Sequence, residues 1–348
     1  MNRRNFSQVL AMSPLFAGLK VHSNTDASTE KSKTIFPERL KKGDTVGLIA
    51  PGSPINPDKF QNVLQNLENL GLRPKYTDTV FKKFGYLAGT DKDRLDDLHL
   101  MIADPEVKAI WCIRGGYGCT RLLDNIDYGL IKQNPKIIIG YSDITALLLA
   151  IYRKTGLVGF HGPVIISDHF TPFTTTELET ILFGDISDQH DIPYQVRSLE
   201  KYATGHEAYT IVPGKAKGNL TGGNLSLLVA LTGTKYAPIY KDNIVFMEDV
   251  GEKPYRVDRM LTSLIQGSDL SKASGIVLGV FNDCEASANE SSLTLQEVLR
   301  DRLIPLGIPV FYGFTFGHVI DICTFPVGVK AQMDTELRSV TLLQNAVK

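Results

Sequence analysis

The stretch IIIGYSDITALLLAIY (137–152) constrains the fold more than any other part of the chain. Three consecutive isoleucines leave no polar face, as in a strand covered on both sides. The residues from Ile144 to Ile151 are nearly all apolar and make a buried helix. Only Tyr141-Ser142-Asp143 separates the two, so strand must turn directly into helix. The same order recurs upstream. DTVGLIA (44–50) reads as a strand, PDKFQNVLQNLENLGL as a helix with Gly71 as its stop, and TDKDRLDDLHLMIADPEV as a helix capped by Thr90. VKAIWCI (107–113) reads as a strand closed by RGGYG. This alternation predicts a parallel sheet covered by helices.

At 348 residues and 43% hydrophobic, the chain can fill two cores rather than one. With 37 basic and 38 acidic residues and no basic run, it carries no nucleic-acid footprint. Cys112, Cys119, Cys284 and Cys323 are scattered without a CxxC pair, which argues against structural zinc and against a disulfide framework. The N-terminus has Arg3-Arg4 before Phe6, a short apolar run from Val9 to Leu19, then a polar tract. That is the order of a twin-arginine-like export signal over residues 1–25, too short for a permanent membrane span. Export to the periplasm or beyond is therefore expected, with a cytoplasmic location as the alternative.

Texture divides the rest. Residues 36–170 read as an α/β domain and 171–213 as a polar, turn-rich connection with one short helix around Glu177–Phe183. Regular elements resume over 214–348. KAKGNLTGGNLSLLVALTGT holds a glycine-rich turn and an apolar helix, DNIVFMEDV a strand, KPYRVDRMLTSLIQGS a helix, GIVLGVF a strand, LTLQEVLRDRL a helix and IPVFYGFTF a strand. ICTFPVGVKAQMD and LRSVTLLQ read as paired strands.

Ligands of open α/β sheets bind at the carboxyl ends of the strands, where Ser142 lies. Ser142 could simply cap the following helix by accepting a bond from about Thr145. Alternatively, a tight strand–turn–helix bend presents its hydroxyl to a ligand, with Gly140 allowing close packing. The match to G-x-S-x-G is incomplete, because Ile144 stands at the last position. A serine nucleophile needs a base, and the base needs an orienting carboxylate. Of seven histidines, His318 (after FYGFTFG) and His161 (after LVGF) end apolar strands, with His161 as runner-up. Glu248, after NIVFM, lies at or just past the end of a buried strand, and Asp249 and Glu252 are near enough to be confused with it. An oxyanion hole needs two amides aimed at one point. The amide of Asp143 is one candidate, and the loop Arg114-Gly115-Gly116-Tyr117-Gly118 can supply another. Arg114 is a candidate partner for a substrate carboxylate.

With these residues in view, the chain resembles the LD-carboxypeptidase family of serine peptidases, which includes muramoyltetrapeptide carboxypeptidases and microcin-immunity peptidases. LIAPGSP (48–54), IRGGYG (113–118), IGYSDITALL (139–148), FHGP (160–163), GGNLSLL (222–228), FMEDVGEKPYRVDRML (246–261) and GFTFGH (313–318) carry the resemblance, from about Lys41 to the C-terminus. It implies a flavodoxin-like or amidotransferase-like N-terminal parallel-sheet domain and a mainly β C-terminal domain with helices. It implies a triad of Ser142, Glu248 and His318, and an oxyanion site from the amides of Gly116, with Gly115 as the alternative, and Asp143. The implied reaction cleaves the L-D peptide bond before the terminal D-alanine of murein tetrapeptides, without metal or cofactor. A homodimer is common in the family; nucleic acid and stable membrane insertion are not expected. Two alternatives remain. A microcin-type enzyme would cleave a peptidyl-nucleotide and need an aromatic residue to stack the base. A non-catalytic muropeptide-binding protein would lack part of the triad.

Overall fold

The computed structural model describes residues 33–168, 170–184, 190–192 and 207–348. The export-signal segment 1–25 and residues 185–189 and 193–206 of the expected connection lie outside the described residues. The elements in chain order are β1 (Thr45–Ile49), α1 (Phe60–Asn69), β2 (Arg73–Lys75), α2 (Asp91–Ala103), β3 (Val107–Cys112), α3 (Tyr128–Gln133), β4 (Ile137–Gly140), α4 (Ile144–Thr155), β5 (Gly159–His161) and α5 (Pro172–Leu182). There follow β6 (His190–Ile192), β7 (Tyr209–Val212), β8 (Lys215–Asn224), α6 (Leu225–Leu231), β9 (Ile244–Val250), α7 (Pro254–Gly267), β10 (Gly275–Asn282), α8 (Leu295–Leu303), β11 (Val310–Tyr312), β12 (Phe325–Val327), β13 (Lys330–Asp334) and β14 (Ser339–Leu342).

Two sheets result. The first has the order β12-β5-β4-β3-β1-β2 and is parallel except for β12, which runs antiparallel to β5 at the edge. The second has the order β6-β14-β13-β8-β9-β10-β11-β7, with a parallel centre from β8 to β11 and antiparallel flanks. Ile137, Ile138 and Ile139 are buried, as strands covered on both sides require. In α4, Leu147, Leu148 and Leu149 are all buried, so each truncation to alanine there costs about 2–5 kcal/mol. Gly156 ends α4 in the left-handed conformation (φ 80°), its N–H donating to Tyr152 O. Thr90 caps α2 in a full capping box with Asp93.

The sequence expectations fail in four places. KAKGNLTGGN is not a turn but the ten-residue strand β8. Its glycines serve close packing: a Cβ on Gly222 would stand 1.9 Å from Phe246 O on β9. The segment expected as the strand IPVFYGFTF is a strand only over Val310–Tyr312, because the chain turns at Gly313 (φ 90°). Phe314 and Phe316 remain fully buried beyond that turn, which is why the pattern read as strand. The tail segments expected as paired strands do pair, as β13 with β14, but Phe325–Val327 separates from that pair as β12 and joins the first sheet. The short helix in the connection starts earlier, at Pro172, with Thr171 as its cap.

Candidate active site

Ser142 has φ 62°, one of four described non-glycine residues with positive φ. Left-handed backbone costs an L-residue roughly 1–2 kcal/mol, so surrounding packing must hold it there. Gly140 is part of that packing: a Cβ on it would lie 2.9 Å from Ile144 Cγ1. Ser142 does not cap α4 with its side chain. The N-cap position is Asp143, without a side-chain cap bond, and the Thr145 N–H donates to the backbone carbonyl of Ser142 at 2.9 Å. The turn leaves the Ser142 side chain half-buried.

The Asp143 carboxylate is turned to another task, which the sequence did not disclose. Its Oδ2 accepts the Cys119 N–H at 2.9 Å, anchoring the end of the RGGYG loop. Burial pushes its carboxyl up, and the bond from Cys119 works against that shift. The other end of the loop is tied to LIAPGSP. Ser53 N–H donates to Gly115 O at 3.0 Å, and Ser53 Oγ accepts Tyr117 N–H at 3.1 Å. Gly115 thereby lies against the serine turn: a Cβ on it would be 3.2 Å from Ser142 Cβ and 3.4 Å from Asp143 N. Gly116 has φ 99°, and among the described residues neither its N–H nor that of Asp143 has an acceptor. Gly116 follows the glycine that packs on the serine turn, and Asp143 follows Ser142 directly. Arg114 is exposed, and one guanidinium nitrogen donates to Pro54 O at 3.0 Å.

Glu248 lies within β9, two residues before its end, fully buried. His318 follows Gly317, where the backbone is laced to the second sheet by a parallel bridge between Val280 and Gly317 and by the Val280 N–H bond to Phe316 O. A Cβ on Gly317 (φ 113°) would be 3.1 Å from Glu248 Oε2, so only glycine lets the chain pass this close. His318 Nδ1 and Glu248 Oε2 are 2.8 Å apart. The Tyr141 ring, beside Ser142, packs on the His318 ring at 4.8 Å. The pair of Glu248 and His318 is thereby placed beside Tyr141, the residue before Ser142.

The three candidate acids separate by their contacts. Asp249 Oδ1 accepts from Asn224 Nδ2 at 3.0 Å, and Oδ2 accepts from Ser226 N–H and Oγ at 2.9 and 2.8 Å. Glu252 pairs with Arg256 at 3.4 Å. Only Glu248 contacts His318. Burial alone would push Glu248 up and His318 down. Their mutual charge and hydrogen bond outweigh burial, so the carboxyl is held below its usual range and the imidazole above its own. His161, the runner-up base, is buried at the end of β5, and burial holds it down at about 4.

Sequence reasoning passed over Asn224. It stands opposite Glu248 in the β8–β9 register, caps α6 by accepting Leu227 N–H, and its own N–H donates to Thr145 Oγ1 at 3.0 Å. It therefore couples the first turn of α4 to the end of β9, and the signal was present in GGN before an apolar helix. Among the described residues, no three His, Cys, Asp or Glu side chains cluster as metal ligands. No described helix is long and apolar enough to cross a membrane.

Comparison with known proteins identifies the family. Residues 46–162 match the LD-carboxypeptidase N-terminal domain and residues 217–333 its C-terminal domain. A Bacillus subtilis protein named "probable murein peptide carboxypeptidase" is 42% identical, over 88% of this chain and 93% of its own. The murein tetrapeptide carboxypeptidase of Pseudomonas aeruginosa is 32% identical over 83% of this chain and 92% of its own. A solved structure of MccF in complex with glutamyl sulfamoyl guanosine superposes with a TM-score of 0.82 at 28% identity, covering 90% of this chain and 99% of that one. With both domain models matched in order and relatives at 42% and 32% identity over most of the chain, the chain belongs to the LD-carboxypeptidase family of peptidases.

Proposed function

We propose that this enzyme is a serine carboxypeptidase acting on the L-D peptide bond before the terminal D-alanine of murein tetrapeptides. The observation that carries the reading is the 2.8 Å contact of His318 with buried Glu248, at the strand ends where Ser142 turns. His318 takes the Ser142 proton, and Ser142 Oγ attacks the carbonyl before the D-residue. Glu248 fixes the imidazole so that Nδ1–H is engaged and Nε2 is free to act as base, and it stabilises the imidazolium. The N–H groups of Gly116 and Asp143 receive the oxyanion, one such donor being worth about 3–4 kcal/mol. His318 then protonates the leaving amine of D-alanine, and water resolves the acyl-enzyme. Arg114 keeps guanidinium donors beyond the Pro54 bond for the free carboxylate that a carboxypeptidase must hold.

The substrate assignment rests on the names of the relatives in Bacillus subtilis and Pseudomonas aeruginosa. Mass spectrometry of defined tetra- and pentapeptide stems, with and without chelator, tests it. Loss of one alanine mass from the tetrapeptide, unaffected by chelator, is expected; an untouched tetrapeptide overturns it. The Arg3-Arg4-x-Phe6 leader supports action on murein or released muropeptides outside the inner membrane. N-terminal sequencing of fractionated protein checks this, and an intact Met1 on cytosolic material refutes it. Light scattering decides whether the homodimer implied by the family forms.

The microcin-type reading has one supporting feature. Trp111 cannot stack a base, being buried with its N–H donated to Pro163 O at 2.8 Å. Tyr117, next to Gly116, and Tyr86 are instead exposed and edge-to-face at 5.5 Å. Incubation with glutamyl sulfamoyl guanosine separates the readings: cleavage faster than that of the tetrapeptide favours the nucleotide. Labelling of Ser142 by a fluorophosphonate separates either enzyme from a binding protein.

A further inference from the structure

Two histidines face Glu248, and the reaction as described uses one. His318 Nδ1 takes Oε2 at 2.8 Å, while His161 Nε2 stands 3.9 Å from Oε1 on another side of the carboxylate. His161 and Glu248 are both fully buried. Neither ring nitrogen of His161, nor Oε1 of Glu248, has a hydrogen-bond partner among the described residues. The rest of the surroundings is aromatic: Phe246 at 5.3 Å, Phe316 at 6.1 Å and Tyr141 at 6.2 Å between ring centroids. An apolar ring would fill such a pocket without leaving buried nitrogens unpaired. The titratable groups that face His161 are Glu248, His318 and Tyr141.

A buried carboxylate that must stay ionised needs donors for its remaining lone pairs. The gap leaves no room for a bridging water, and exceeds an ordinary N–H···O bond by about 1 Å. Catalytic hydrogen bonds are often long in the unliganded enzyme and tighten in the complex. We propose that His161 is a positioning residue for the peptidase reaction. As the neutral Nε2–H tautomer, it donates to Oε1 of Glu248 once substrate is bound, holding Oε2 on His318 Nδ1 while the imidazolium forms. Burial keeps His161 neutral over the working pH range, so it acts as a donor and not as a second cation. The backbone supports the placement: His161 pairs in register with Gly140, two residues before the nucleophile, and with Phe325 on β12.

This rests on the assignment of Ser142, Glu248 and His318, and the experiment separates the two. Tetrapeptide turnover is measured for the wild type and for His161→Phe, His161→Gln and Ser142→Ala. His161→Phe is expected to lower kcat about tenfold to a hundredfold, the loss of one hydrogen bond to a charged group, with KM within about twofold. With one competing donor gone, the carboxylate binds the His318 proton more tightly. The acidic limb of kcat, which reports the enzyme–substrate complex, therefore moves to higher pH. His161→Gln, which restores an N–H donor, brings both back toward the wild type. Wild-type kinetics in His161→Phe, or a lower kcat without a moved limb and without rescue by Gln, overturns the proposal while leaving the triad standing. An active Ser142→Ala overturns the triad itself. Ring nitrogen NMR of the unmodified protein needs no variant to fold: between pH 5 and 9, His161 is expected as the Nε2–H tautomer, and the Nδ1–H tautomer refutes the proposal.

Discussion

The two sheets bring chemistry to the site by different means. The first sheet supplies backbone: a serine at φ 62° and two amides, held by bonds among Ser53, Gly115, Tyr117, Cys119 and the Asp143 carboxylate. The second supplies a charge pair: Glu248 in β9 and His318 seventy residues later, 2.8 Å apart. The backbone device stores conformational strain, and the side-chain device stores desolvated charge. A site divided in this way should respond differently when each part is altered.

Ser142→Ala gives the largest effect, a fall in kcat of about a million-fold with the fold intact, since triad members act as a unit. Stopped assays on protein of unchanged melting temperature check it, and near-normal turnover would remove the nucleophile from the scheme. Glu248→Gln comes next, at about 10⁴-fold in kcat, because the amide no longer favours the useful imidazole tautomer. A loss below tenfold would return Asp249 to consideration. Gly116→Ala should cost about 10²–10³-fold through the oxyanion donor, because its Cβ would stand 2.3 Å from Ser53 Oγ at a φ of 99°; unchanged kcat would move the donor to Gly115.

Two smaller effects sharpen the contrast. His318 is raised, and as a base it must be neutral, so kcat/KM should fall on acidification with a midpoint above the ordinary 6.5 of histidine. The same shift means that the stability contributed by protonated His318 is complete below 6.5 and is lost as pH rises through the raised value. The lowered Glu248 contributes stability above its unfolded value near 4.5, lost as pH falls through the depressed one. The smallest change is one of stability: Ser142→Gly, inactive like Ser142→Ala, should stabilise the protein by about 1 kcal/mol, since glycine accepts the left-handed turn freely. Denaturant midpoints would show it, and a less stable variant would mean that the turn is not strained.

How much could be read in advance follows the same division. The strand–turn–helix at Ser142 is local: isoleucines, a glycine and an apolar helix lie within sixteen residues, and the structure follows that pattern closely. The role of the Asp143 carboxylate was not legible, because its partner Cys119 is remote in sequence and its residue type reads equally well as a cap. Glu248 could not be told from Asp249 or Glu252 by pattern, since the difference lies in what each side chain contacts. His318 looked like the end of a strand because Phe314 and Phe316 are buried, though the chain had already turned at Gly313. β8 was mistaken for a turn because glycine density signals both loops and close strand packing.

β12 joins the first sheet from near the end of the chain, against the strand that ends in His161. During synthesis, β5 must therefore wait with one side unpaired until residues 325–327 leave the ribosome. An open strand edge invites pairing with other chains. The nucleophile half, expressed alone, would present a sticky border and not a finished module, so completing the first sheet depends on residues 325–327.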